Sequence, residues 1–264
     1  MRTLSLFFAM LALFLTACQS GSSSQEQQQD EKEEAMPEMK YTVTPFSPSA
    51  SYPNAKIESM AFTNGQFAFT LNESDYQLGV QTPDASQKMC ANSAQGQHIH
   101  LIVDNEPYAA KYDAKFDYQI ADGDHYILAF LSRSYHESIK TEGAHVAIKA
   151  AIKDNSITES KPINMPMLFY SRPKGTYTGK AETDKIMLDF YLVNAKLGAD
   201  YKVKAEINGE EHMIDSWQPY YVEGMPMGEN TIKLTLVDAE GNTVDTPLNP
   251  VSRTFTLQED PVAQ

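Results

Sequence analysis

His98-Ile99-His100-Leu101-Ile102-Val103-Asp104-Asn105 reads as a β-strand closed by an Asx turn: the histidines alternate with Ile99 and Leu101, and two turn formers follow Val103. About a hundred residues later, Lys202-Val203-Lys204-Ala205-Glu206-Ile207-Asn208-Gly209 lies over it position by position. One residue later in register, Gly123-Asp124-His125-Tyr126-Ile127-Leu128-Ala129-Phe130-Leu131 lies over Gly228-Glu229-Asn230-Thr231-Ile232-Lys233-Leu234-Thr235-Leu236. Both copies run strand, Asx or Gly turn, aromatic strand, Gly turn, strand, which marks an internal repeat. Outward from these segments, the runs from Gln66 to Leu71 and from Ile186 to Leu192 also have the two-residue period of strands. No long stretch carries a helical period, so the expected fold class is all-β. Short strands separated by Gly, Asn, Asp and Pro point to β-sandwiches.

The second copy has Gly224-Met225-Pro226-Met227-Gly228 before its strand and Asp238-Ala239-Glu240-Gly241-Asn242 after it. In this it resembles an immunoglobulin-like domain of secreted bacterial proteins. The expected organisation is two immunoglobulin-like β-sandwich domains, residues 41–170 and 171–257, with a short tail at 258–264. Each is long enough to bury its own core.

Residues Met1 to Cys18 place one cation, Arg2, before an apolar run from Leu4 to Leu15 that ends in small residues. This is the layout of a secretory signal peptide, and the run is shorter than the roughly 20 residues a bilayer span requires. Leu15-Thr16-Ala17-Cys18 resembles the lipobox of bacterial lipoproteins. That resemblance implies cleavage after residue 17, acylation of Cys18 (palmitate among the chains) and a membrane partner reached through lipid. Gln19, rather than Asp, follows the cysteine, which in that family accompanies passage to the outer membrane; the face on which the protein stands is left open. Residues 18–40 are polar and acidic, with no apolar side chain before Ala35. Such a stretch buries too little to offset its ordering entropy, so it reads as a low-complexity tether.

The formal net charge is −14. Nucleic acid and anionic lipid surfaces both require basic patches, so neither is an expected partner. Two cysteines occur in the chain. With Cys18 assigned to lipid, Cys90 has no intramolecular partner, which excludes a disulfide framework.

His98 and His100 are two apart on one strand, so their side chains leave the same face. Ile99, Leu101 and Val103 occupy the other face, which is the natural core side, and this places the histidines outward or at the mouth of a cleft. His125 opens a later strand, and His136 sits in the turn Ser132-Arg133-Ser134-Tyr135-His136-Glu137. The repeat puts Lys202, Lys204 and Asn230 where the first copy has His98, His100 and His125, so the fold itself does not demand these histidines. An H-x-H pair is a familiar way to offer two imidazoles to one metal. His98, His100, His125 and His136 are therefore candidate ligands for copper or zinc; the competing reading is surface and loop histidines in ordinary hydrogen bonds. Arg133 and Arg172, with Lys174, are candidate contacts to an anion or a partner. They could equally pair with this protein's own acids.

The segments Gly96 to Asn105, Phe130 to Ser138 and Phe169-Tyr170-Ser171-Arg172-Pro173-Lys174-Gly175 together resemble a group of Bacteroidota envelope lipoproteins, some labelled phosphopeptide-binding protein. The resemblance implies an unknown protein or peptide ligand and supplies no defined activity. No G-x-S-x-G, H-E-x-x-H, phosphate-cradling Gly loop or C-x-x-C occurs. The expected function is a non-enzymatic binding or structural module of the cell envelope, with a metal-binding protein that uses the histidines as the alternative.

Overall fold

Three hairpins close on two-residue turns whose residues both adopt positive φ: Asn64-Gly65, Asp154-Asn155 and Asn208-Gly209. Asn, Asp and Gly tolerate this left-handed conformation, and its twist matches that of the flanking strands. The turns join β2 (Ile57–Thr63) to β3 (Gln66–Leu71), β8 (His145–Lys153) to β9 (Ser156–Pro162), and β13 (Tyr201–Ile207) to β14 (Glu210–Ile214). The computed structural model describes residues 40–72 and 74–261. The expected signal peptide, Cys18 and all of the tether but Lys40 lie outside the described residues, as do 262–264.

The protein is all-β, with the strands arranged in four sheets that form two sandwiches. In the first, β2, β3 and β6 (Lys115–Asp117) pack against a five-stranded sheet ordered β5-β4-β7-β8-β9, in which β4 is His98–Val103, β5 Ala109–Lys111 and β7 Gly123–Ser132. Phe62, Phe67 and Phe69 meet Ile99, Leu101, Ile127, Ala129 and Leu131 in its core. The second sandwich contains β10 (Met167–Arg172), β11 (Gly175–Thr178), β12 (Ile186–Val193), β15 (Tyr220–Glu223), β16 (Gly228–Asp238) and β17 (Val251–Gln258), besides β13 and β14. Its two sheets are ordered β1-β15-β12-β10 and β11-β17-β16-β13-β14, where β1 is Thr42–Pro45.

The internal repeat corresponds to equivalent strand pairs. Val103 pairs with Ile127 between β4 and β7, and Ile207 pairs with Ile232 between β13 and β16. These are the residues that the sequence comparison superimposes.

The division between the sandwiches differs from the expected one at residue 170. β1 pairs with β15 and β10 pairs with β12, so Thr42–Pro45 and Met167–Tyr170 both belong to the second sandwich. The Pro and Gly residues after Arg172 mark a change of sheet inside that sandwich. The chain leaves β10 in one sheet and re-forms as β11 in the other, parallel to β17.

A third apolar layer joins the two sandwiches. Ile102, Leu128 and Phe130 on the outer face of the first five-stranded sheet pack against Met167, Phe169, Tyr191 and Val193 of the second sandwich. Hence β4, β7, β10 and β12 are buried on both faces over most of their length, whereas β13 alternates buried with half-buried positions.

Candidate metal centre

His98 and His100 project from β4 on the face opposite Ile99 and Leu101. That face is covered by the second sandwich, so both imidazoles are fully buried rather than outward, which corrects the expectation from the strand pattern alone. His136 reaches them from the turn that follows β7. The turn is closed by the Arg133 N–H donating to Glu137 O and the His136 N–H donating to Arg133 O, and His136 itself has φ +68°. This backbone is uncommon for a residue with a Cβ and is enriched at functional sites.

Three ring nitrogens converge. His98 Nε2 lies 2.8 Å from His100 Nε2 and 3.0 Å from His136 Nδ1, and the last two are 3.4 Å apart. His98 Nδ1 is 2.8 Å from the Gly96 carbonyl. A carbonyl only accepts, so Nδ1 carries the proton and Nε2 presents a lone pair to the cluster. Gly96 holds that carbonyl in place at φ +87°, where a Cβ would come within 2.6 Å of the Gly79 backbone. The His100 ring stacks on Tyr108, and its Nδ1 is 3.4 Å from Ser171 Oγ of the second sandwich. The Tyr108 hydroxyl is 3.3 Å from His136 Nδ1.

Burial lowers the pKa of all three histidines by penalising their charged forms, and the positive charge of Arg172 and Lys174 pushes the same way. His98 falls to about 4, and His100 and His136 go well below the ordinary histidine value. The cluster is therefore neutral at pH 7, with no proton to be expelled in competition with a metal. In a tetrahedral zinc site with bonds of about 2.0–2.1 Å, ligand nitrogens stand about 3.3 Å apart. Of the observed spacings, 3.4 Å is close to that value, and 3.0 and 2.8 Å fall short of it. His98, His100 and His136 would hold such an ion as three nitrogen ligands, one fewer than tetrahedral zinc takes.

His125 is not part of this group. It lies on the same face of β7 as Ile127, Ala129 and Leu131, opposite to that of Leu128 and Phe130. Its Nδ1 is 2.5 Å from Asp104 Oδ2 and its Nε2 is 2.8 Å from Ala121 O. The four-histidine constellation reduces to His98, His100 and His136, the one such group among the described residues. Cys90 is half-buried, with its thiol pushed up to about 12 by burial, and does not join them.

The basic candidates divide as well. Arg133 is engaged internally: its Nε and Nη2 donate to Ala50 O, its Nη1 donates to Ser138 O at 3.4 Å, and Glu137 lies 3.4 Å from that nitrogen. Of its two expected roles it takes the second, a pairing with the protein's own acid Glu137. Arg172 donates from Nε and Nη2 to the Tyr177 hydroxyl, while its buried Nη1 has no partner among the described residues. Lys174 donates to Tyr108 O at 2.8 Å. The sequence reading assigned no role at the site to Tyr108, Ser171 or Gly96. Only Gly96, two residues before the histidine strand, carried a local signal.

No family model and no curated protein matches the chain. Among solved structures, it is similar to the fibronectin(III)-like modules of Clostridium thermocellum CbhA, at 12% identity and TM-score 0.29, covering 36% of this chain and 100% of that one. It is also similar to the central fibronectin-III array of RIM-binding protein, at 8% identity and TM-score 0.26, covering 84% and 71%. A third similar structure is the Bacteroides ovatus mixed-linkage glucan utilization locus protein SGBP-B, at 9% identity and TM-score 0.21, covering 82% and 70%.

Proposed function

We propose that this chain is a non-enzymatic envelope lipoprotein whose folded part holds one zinc or copper ion on His98, His100 and His136. The observation that carries the reading is the convergence of three neutral imidazole nitrogens within 3.4 Å of one another in a buried site. The lipobox at Cys18 and the acidic segment after it support the envelope address, with lipid as the link to the outer membrane. Ligands drawn from the first sandwich and roofed by Ser171 of the second suit retention of an ion, as in a carrier or a sensor, rather than fast exchange.

The test is metal content of protein purified without chelator, followed by titration with Zn²⁺ and Cu²⁺. One ion should bind per chain. His136→Asn keeps a residue that tolerates the left-handed backbone and removes a ligand nitrogen, so it should weaken binding at least tenfold while the protein stays folded. Unchanged affinity in His136→Asn would sink the reading.

A further inference from the structure

Arg172 is 5% exposed, yet no carboxylate among the described residues pairs with it. Its neighbours are the Tyr177 and Tyr108 hydroxyls and the Cys90 thiol, none of them a carboxylate, and its Nη1 is buried without a hydrogen-bond acceptor among the described residues. Buried guanidinium groups are ordinarily matched by an acid, because removing an unpaired charge from water is costly. Lys174 is half-buried beside it and likewise has a carbonyl, not a carboxylate, as its acceptor. The positive charge of both residues is felt at all three clustered histidines.

The metal site has the complementary deficit. Its three ligands are neutral, and no Asp, Glu or Cys stands within the cluster among the described residues. A divalent ion there would place two more positive charges beside Arg172 and Lys174, with nothing in the shell to offset them. The two deficits are neighbours: Ser171 Oγ, one residue before Arg172, lies 3.4 Å from His100 Nδ1, and the Lys174 ammonium sits 4.0 Å from the Tyr108 ring that stacks on His100. Three histidines would leave a tetrahedral ion one ligand short.

We propose that the ion is bound together with a small oxyanion, a carboxylate or phosphate, that supplies the fourth metal ligand through one oxygen and accepts from Arg172 Nη1 through another. This rests on the metal reading above. No bond is made or broken beyond coordination, and the anion enters in its deprotonated form. Forked donors suit this geometry, because guanidinium matches the spacing of two oxygens on one centre.

Co²⁺ serves as a coloured substitute for the ion. The full folded protein is loaded with Co²⁺ in a non-coordinating, chloride-free buffer and titrated with acetate in one arm and inorganic phosphate in the other. At least one anion should change the visible spectrum saturably and tighten Co²⁺ binding by about tenfold, since coupling between two ligands is reciprocal. The arm that responds identifies the class. Arg172→Met should abolish the anion response and leave anion-free Co²⁺ binding equal or tighter, because a repelling charge is gone. Should Arg172→Met fail to fold, Lys174→Met should still weaken the anion response, and the wild-type titration decides alone. Co²⁺ binding with a spectrum indifferent to both anions would overturn this proposal and leave the metal site standing. Absence of Co²⁺ binding would overturn both.

Discussion

Tyr108 lies flat on His100, with ring centroids 3.7 Å apart and planes 10° from parallel, while the Lys174 ammonium sits 4.0 Å from the same tyrosine ring. The tyrosine thus sets the tilt of one ligand and, through its hydroxyl, touches another. Tyr108→Phe should keep stability within about 1 kcal/mol and change metal affinity only modestly, since the stack remains. Tyr108→Ala should cost about 3–5 kcal/mol in urea unfolding and lower metal affinity at least tenfold. Equal affinity in the alanine variant would show that His100 needs no such support.

Acid should weaken the apo fold through these histidines. Their folded pKa values lie below the ordinary 6.5, to about 4 for His98. The unfolded chain therefore binds more protons as pH falls below about 6.5. The stability gained by keeping the imidazoles neutral is complete above that pH and is lost as pH falls toward 4. Melting temperature measured without metal should fall steadily from pH 7 to pH 5. A flat profile there would contradict the burial of all three rings.

Gly96→Ala should destabilise the protein and the site together. The added Cβ meets Gly79 and Val80 backbone atoms at 2.6–2.7 Å, and the position has φ +87°. Backbone strain of this kind costs about 1–3 kcal/mol. Displacing the Gly96 carbonyl also frees His98 Nδ1, so metal affinity should drop as well. Denaturant midpoints and metal titration on the same variant check both.

Asn105 stitches the sandwiches: its Nδ2 donates to Leu168 O at 2.8 Å, and its Oδ1 accepts from the Tyr170 N–H at 2.8 Å. Asn105→Ala leaves two buried backbone groups unpaired, each worth about 1–3 kcal/mol. Calorimetry should show a lower melting temperature; no change would mean that water replaces the side chain.

The repeat was legible because hydrogen-bond register is carried by local pattern. Residues matched from β4 to β13 and from β7 to β16 keep the same partners. Burial of the histidines was not legible, because a single strand's alternation separates two faces without saying what covers the second. Lys202 and Lys204 occupy the sites equivalent to His98 and His100, and they are half-buried because no further sandwich among the described residues lies on them. Lys204 pairs with Glu211 near the surface. The signs of cover were Ile102 on the histidine face and the apolar run of β12, broken only by Asp189, which marks a strand enclosed on both sides. Grouping His125 with the others failed on parity, since it is odd-numbered on a strand whose even positions face the site.

The chain visits the second sandwich first, in β1, before building the whole of the first. The Lys40 and Tyr41 amides both donate to the Glu210 carboxylate, and Thr42 pairs with Glu223. Tension applied between residue 40 and the C-terminal end of β17 would therefore enter and leave through the second sandwich, which holds both ends. The histidine site, carried by β4 and the turn after β7, would stand outside the line of force. A molecule pulled between these two ends would in this way shield its most finely positioned atoms from mechanical load.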